Sequence, residues 1–221
     1  MRIMVSGNTR AVEEAARRGY ADVLGVLVQP HQHNHRGFGP ATGLHTVFDN
    51  AAFSNPDARA FWNLMVDGWD LAGAIDWIAC PDVVCCHGMT LVQWHAFRAE
   101  LEYEIGCVPV PLAFVLQNGV EDDLESVPWD DAAAVFLGGD DDFKLGAAGR
   151  VCARESQKRG KPLHVGRVNS VSRLLYCRDV LNAASCDGRN WSAFSSANDL
   201  MAAGDLLRTT ASPFLFDLTA A

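Results

Sequence analysis

The sequence predicts an α/β fold closed into a compact single-domain (β/α)8 barrel, and three observations predict it. Short apolar runs alternate with amphipathic stretches along the chain. Eight such runs occur, with a helical pattern between most of them. The runs end in polar or glycine-containing steps, as strands do at the ligand-binding rim of a TIM-like barrel. No repeat, low-complexity segment or long linker divides the chain, so residues 1–221 are read as one domain. A doubly wound open sheet fits the same periodicity and stands as the alternative.

In order, the strands are predicted as follows. Arg2–Ser6 leads to Ser6-Gly7-Asn8, and a helix over Arg10–Arg18 follows. Asp22–Val28 runs into Gln29-Pro30-His31, and Thr46–Phe48 into Asp49-Asn50, with a helix over Pro56–Asp70 next. Asp76–Ala79 precedes Pro81-Asp82 and a helix over Met89–Glu104. Val110–Leu116 ends at Gln117-Asn118-Gly119, and Ala133–Leu137 at Gly138-Gly139, before a helix over Phe143–Arg159. Leu163–Val165, with His164 inside it, gives way to Gly166-Arg167. Ser170 is placed to cap a helix to Leu181 whose apolar side carries Val171, Leu174, Leu175 and Leu181. Ala184–Cys186 ends in Asp187-Gly188, and a further helix and a proline-broken terminus follow Trp191.

With 221 residues, 49% of them hydrophobic and 20% charged, the chain can bury a core of its own. No apolar run reaches the length of about 18 residues that a membrane span needs, and MRIMVSGNTR has too short an apolar stretch for a signal peptide. Seven cysteines without framework spacing predict reduced thiols and a cytoplasmic location. The net charge of −9 argues against a general nucleic-acid binder. The charge is uneven, however: nine Lys or Arg against three acids lie between Arg150 and Arg189, and nine acids with no base between Glu121 and Asp142. Either a local basic face or two solvated helix faces follows from that distribution.

Three strand ends carry carboxylates: Asp49, Asp82 and Asp187. Each has a plain reading. Asp49 suits a turn, Asp82 a cap after Pro81, and Asp187-Gly188 a turn pair, while Gln117-Asn118-Gly119 is also turn-like. Together, on one rim, they predict a site, and the glycine steps let a flat ligand approach the backbone. His31-Gln32-His33-Asn34-His35 offers an H-x-H pair to a metal-dependent hydrolase, with His45, His87 or His164 and an Asp to complete the set. Gly37, Gly39 and Pro40 give that segment the look of a mobile loop, and no metal is expected. Cys80, Cys85, Cys86 and His87 lack a zinc-ribbon spacing, and no nucleotide-binding glycine motif is present, so no cofactor is expected.

FDNAAFS (Phe48–Ser54), ACPDVV (Ala79–Val84), FVLQNG (Phe114–Gly119), VFLGG followed by FKLG, LHVGRVNS and CDG occur in that order. This ordered set resembles the 7-deazaguanine DNA transglycosylases of phages and bacterial modification islands, relatives of the tRNA-guanine transglycosylases. The resemblance spans about Val47 to Gly188 and implies a (β/α)8 barrel. The implied activity exchanges guanine in DNA for a free 7-deazaguanine base such as preQ0. It implies Asp187 as nucleophile, Asp49 as general acid/base, Asp82 and Gln117 as partners of the base edge, and Gly138 and Gly139 as backbone lining of the base pocket. His164 is read as support for the rim, and Gly166, Arg167 and Asn169 as groups that position phosphate or Asp187, a capped turn being the plain alternative. Trp191 is placed to stack on a base. The guanine must leave the duplex stack or come from a single-stranded region, and a protein partner aiding DNA binding fits the acidic charge.

Two residues depart from the family pattern. Ala51 stands where the family has Gly, which matters if that position needs positive φ, and Arg189 stands where relatives often have Thr. The 34 residues after Asp187 contain neither Cys nor His, so no C-terminal zinc subdomain is expected. A non-catalytic nucleic-acid-binding relative is the further alternative these departures raise.

Overall fold

A computed structural model describes residues 1–35, 37–54, 56–67, 69–108, 110–192 and 195–209. Eight parallel strands form a closed barrel in chain order: β1 (Arg2–Ser6), β2 (Leu24–Val28), β3 (His45–Phe48), β4 (Trp77–Ala79), β5 (Leu112–Leu116), β6 (Ala134–Leu137), β7 (Leu163–Val165) and β8 (Ser185–Asp187). The last strand pairs back on the first, with Ile3 beside Cys186 and Met4 beside Asp187. The open-sheet alternative is therefore excluded. The helices are α1 (Thr9–Ala15), α2 (Phe38–Thr42), α3 (Ala58–Asp67), α4 (His87–Ile105), α5 (Asp141–Leu145), α6 (Ala147–Lys158), α7 (Val171–Asp179), α8 (Arg189–Ser192) and α9 (Ala197–Arg208).

Both faces of the strands are buried, which is why they read as continuous apolar runs. Along β5, Leu112, Phe114 and Leu116 face the helices, whereas Ala113 and Val115 point into the barrel. The interior is packed by Met4, Leu27, Val47, Trp77 and Val115, with Phe136 against them. The polar residues of the strand ends sit above this plug, so the strand period of two separates core from site.

Most differences from the predicted elements are at boundaries, where fraying is ordinary. The helix expected over Phe143–Arg159 is two helices, divided at Gly146 with extended backbone (φ −87°, ψ −162°). A Cβ at Gly146 would lie 2.3 Å from the Asp142 carbonyl oxygen, so only glycine makes that junction. The segment read as a loop around Gly37, Gly39 and Pro40 contains α2. Pro40 falls in its first turn, where a missing N–H costs nothing. Ser170 caps α7 as predicted, its hydroxyl accepting from the Arg173 N–H at 3.2 Å. Pro213 lies outside the described residues.

The two charge runs are not separate faces. Arg159 pairs with Glu125 at 2.7 Å and Arg173 with Asp141 at 2.7 Å, so the basic run is partly neutralised by the acidic one next to it. The seven cysteines are free thiols, and Cys80, Cys152, Cys177 and Cys186 are buried. Among the described residues no helix is long and apolar enough to cross a membrane.

Candidate active site

A cavity of about 560 Å³ opens at the C-terminal rim of the barrel, within the range usual for small-molecule sites. Its floor is apolar, formed by Leu27, Val115 and Phe136. Asp49, Asp82 and Asp187 all line it, from the ends of β3, β4 and β8. So do Gln117, Gly138, Gly139, Gly166, Arg167 and Asn169. His164 does not reach the cavity; it is buried one layer below, in the barrel interior.

Asp187 ends β8 with its side chain about a quarter exposed. Its Oδ1 lies 3.1 Å from His164 Nε2 and accepts a long bond of 3.4 Å from the Arg167 N–H. His164 Nδ1 lies 2.8 Å from Ser185 Oγ. The imidazole packs between Trp77 and Phe136, with ring centroids 5.1 and 4.6 Å away. Gly166 has no room for a side chain, because a Cβ would meet the Phe136 ring at 2.7 Å.

Asp49 follows β3, and its Oδ2 accepts from Gln29 Nε2 at 2.9 Å. Burial raises its pKa, and the charge of Asp187 adds to the rise, while the Gln29 bond opposes it. Asp82 behaves alike: burial pushes its pKa up to about 6, and the Asp49 charge adds to this. Asn50 Nδ2 donates to Asp82 Oδ1 at 2.7 Å, and Gln117 Nε2 to Asp82 Oδ2 at 2.6 Å. Gln117 is buried and accepts at Oε1 from the N–H groups of Cys85 and Gly139, each at 2.8 Å. Its amide is thus aligned on Asp82, and one Nε2 hydrogen remains for other partners. Gly138 makes space for that amide: a Cβ there would lie 2.7 Å from Gln117 Nε2. Gly139 has φ +68°, and a Cβ would strike Phe143 at 2.5 Å.

Ala51 has φ +59°, the left-handed conformation in which a Cβ is strained. The condition attached to this position in the sequence is therefore met. Arg167 also has positive φ, +61°. Its guanidinium stacks 3.7 Å over the Phe53 ring and donates to the Gly139 carbonyl. Asn169 lines the cavity with Oδ1 buried and without a hydrogen-bond partner among the described residues. Arg189 is exposed at the cavity wall. Trp191 is not a stacking surface: it is buried and donates its indole N–H to the Val168 carbonyl.

Four participants were assigned no role from the sequence. Gln29 and Asn50 flank predicted positions at strand ends and hold Asp49 and Asp82. Ser185 lies two residues before Asp187 and so points to the same side of β8, a signal present in the strand period. Lys144 gave no signal, since a lysine in a helical pattern reads as solvated. Yet it is 2% exposed, and its Nζ donates to the Gly166 carbonyl at 2.9 Å. Burial lowers its pKa, as does the Arg167 charge, while Asp141 opposes the shift.

The histidines proposed as metal ligands are dispersed. His45 pairs with Asp76 at the opposite end of the barrel, His87 with Ser126 and His164 with Asp187. Among the described residues no group of three or more His, Cys, Asp or Glu could hold a metal ion; the side chains of His33 and His35 lie outside them. Burial pushes the Cys80 thiol well above its usual range, consistent with packing rather than reactivity.

No family model and no curated protein matches the chain. Its structure is similar to the 4-hydroxy-2-oxoglutarate aldolase/2-deydro-3-deoxyphosphogluconate aldolase from TTHB1, with TM-score 0.54 and 12% identity over 93% of this chain and 94% of that one. It is also similar to a malate synthase of Haloferax volcanii in a lead(II) complex, with TM-score 0.55 and 13% identity over 100% of this chain and 77% of that one. At such identities the likeness establishes the barrel fold alone.

Proposed function

We propose that the chain is a barrel enzyme, a transglycosylase that exchanges guanine in DNA for a 7-deazaguanine base such as preQ0. The observation that carries this reading is the convergence of Asp49, Asp82 and Asp187 on one cavity, with two of them kept proton-prone by burial. The ordered motifs that resemble the DNA transglycosylases supply the substrate class.

In the proposed reaction, Asp187 attacks C1′ of the flipped nucleotide as the C1′–N9 bond breaks, giving a glycosyl ester. Asp49, protonated at the outset, gives its proton to the departing guanine. The incoming base then loses its N9 proton to the Asp49 carboxylate and attacks C1′, releasing Asp187. Two displacements give net retention at C1′ and leave both acids as they began. Asp82 accepts from N1–H and the exocyclic amine of either base, held in register by Asn50 and Gln117. Gly138 and Gly139 present backbone at the cavity wall.

At the mouth, Arg167 and Arg189 are the cations placed to meet phosphate. Several cations of the flank are paired with acids, so the proposal includes a protein partner that aids DNA binding beyond what the chain's own site provides. The test is incubation of the full chain with guanine-containing duplex and single-stranded DNA and labelled preQ0. Incorporation of label into DNA with release of guanine is expected. Absence of incorporation into either DNA, or incorporation only into a tRNA control, overturns the reading.

A further inference from the structure

Asp187 is held unequally at its two oxygens, and the difference reaches into the barrel. Among the described residues, both hydrogen-bond contacts of its carboxylate fall on Oδ1: His164 Nε2 at 3.1 Å and the Arg167 N–H at 3.4 Å. Each donor is itself fixed by a residue that touches no part of the cavity. Ser185 pairs with His164 across β7 and β8 and lies two residues before Asp187, so both side chains of β8 point inward, one above the other. The Ser185 hydroxyl is 2.8 Å from Nδ1. A carboxylate can only accept, so the hydrogen belongs on Nε2. In the neutral ring Nδ1 is then a bare acceptor, and the Ser185 O–H, which has no other partner among the described residues, donates to it. The opposite tautomer would face a bare nitrogen to a carboxylate.

The second donor is the peptide between Gly166 and Arg167. In a trans peptide the carbonyl and the N–H point in opposite directions. Lys144 Nζ donates to the Gly166 carbonyl from the buried side at 2.9 Å, so the N–H of the same peptide is turned toward Asp187. Asp141, 3.4 Å from Nζ, partners the ammonium.

We infer that Ser185 and Lys144 are positioning residues which clamp Asp187 Oδ1 through His164 and through the Gly166–Arg167 peptide, and that Oδ2 is the oxygen that attacks. The inference rests on the transglycosylase reading for the identity of the reaction, but the clamp itself does not. In the first step the Oδ2–C1′ bond forms as C1′–N9 breaks, and Oδ1 becomes the ester carbonyl, still accepting both hydrogen bonds. In the second step the C1′–Oδ2 pair returns to the carboxylate, whose charge those bonds stabilise.

The experiment has two parts. Imidazole ¹⁵N NMR of the substrate-free protein reads the tautomer of His164 directly. A protonated Nε2 and an unprotonated Nδ1 are expected in the wild type, with that preference weakened in Ser185→Ala. An Nδ1-protonated ring in the wild type, or an unchanged spectrum in Ser185→Ala, overturns the relay even if no exchange activity exists. Base-exchange kinetics form the second part. Ser185→Ala and Lys144→Met are expected to lower kcat by about 10–100-fold, the scale of a misplaced catalytic group, with KM for the free base little changed. His164→Gln, which keeps an N–H donor, is expected to retain more activity than His164→Phe, which keeps the ring packing between Trp77 and Phe136. Equal kcat in wild type and Ser185→Ala, or better function in His164→Phe than in His164→Gln, overturns the clamp while leaving the transglycosylase reading standing. No exchange in the wild type overturns that reading instead.

Discussion

The rim and the flank of this barrel use the same side chain in opposite ways. At the rim, Asp49 and Asp82 are half-buried in the cavity wall, and the desolvation of their carboxyls raises both pKa values despite bonds from Gln29, Asn50 and Gln117. On the flank, Asp22 and Asp199 are exposed and Glu155 is half-buried, and their pKa values fall because Arg208, the Ser196 backbone N–H and Arg159, respectively, bond the charged form. Neutral amide donors at the rim align a carboxylate without supplying a full opposing charge. Asp49 and Asp82 are thus held more ready to bind a proton than an ordinary carboxylate, whereas the flank acids are arranged to stay ionised.

The largest expected effects lie at the rim. Asp187→Ala is expected to lower base exchange by about 10⁴-fold, the scale seen when a nucleophile is removed, measured as label incorporated into DNA. Asp49→Asn should lower it by about 10²–10⁴-fold, as loss of a general acid does; activity near wild type would remove Asp49 from the reaction.

Asp82 sharpens the comparison through pH. Its folded pKa of about 6 exceeds the ordinary 3.8. The native state therefore binds more protons than the unfolded state between those values. Its stabilising contribution is present below about pH 4 and is lost as pH rises through about 6. A difference of about two units corresponds to about 3 kcal/mol. Urea unfolding of Asp82→Ala and wild type should thus shift relative to one another in favour of the variant by about 3 kcal/mol between pH 4 and pH 7. Binding of free guanine to the wild type should weaken below about pH 6, as the protonated carboxyl ceases to accept from the base edge. Binding that strengthens on acidification would contradict the assignment.

Smaller effects separate strain from charge. Ala51→Gly is expected to stabilise the fold by about 1 kcal/mol by relieving a Cβ at φ +59°, read as a higher urea midpoint. On the flank, Arg159→Met removes pairs to Glu125 and Glu155. It is expected to move the urea midpoint little, with the difference shrinking at high salt, and to leave exchange unchanged.

The strand ends made the barrel and the carboxylates legible. Asp49, Asp82 and Asp187 each follow an apolar run, and a closed parallel sheet brings such positions to one rim. The condition on Ala51 was legible too, because only its φ was missing. What could not be read depends on which elements become neighbours. Lys144 looks like any solvated helical lysine until α5 packs against the β7 loop. Trp191 sits near Asp187 in sequence, but its ring turns into the core. The basic run from Arg150 to Arg189 suggested a basic face or a solvated helix face, and its pairing emerges only when the end of α6 lies beside Glu125 and α7 beside Asp141 at the start of α5. Glycines at 138 and 139 suggested close ligand approach, and the structure adds that they make room for Gln117 and Phe143.

The most direct measurement is mass spectrometry of the full chain quenched by denaturation during turnover with a guanine-containing oligonucleotide, followed by peptide mapping. A DNA–protein adduct on the peptide bearing Asp187, absent from Asp187→Asn and discharged by added preQ0, is the expected result. An adduct mapped to Asp49 or another residue, or exchange that proceeds at the normal rate in Asp187→Asn, would contradict the account.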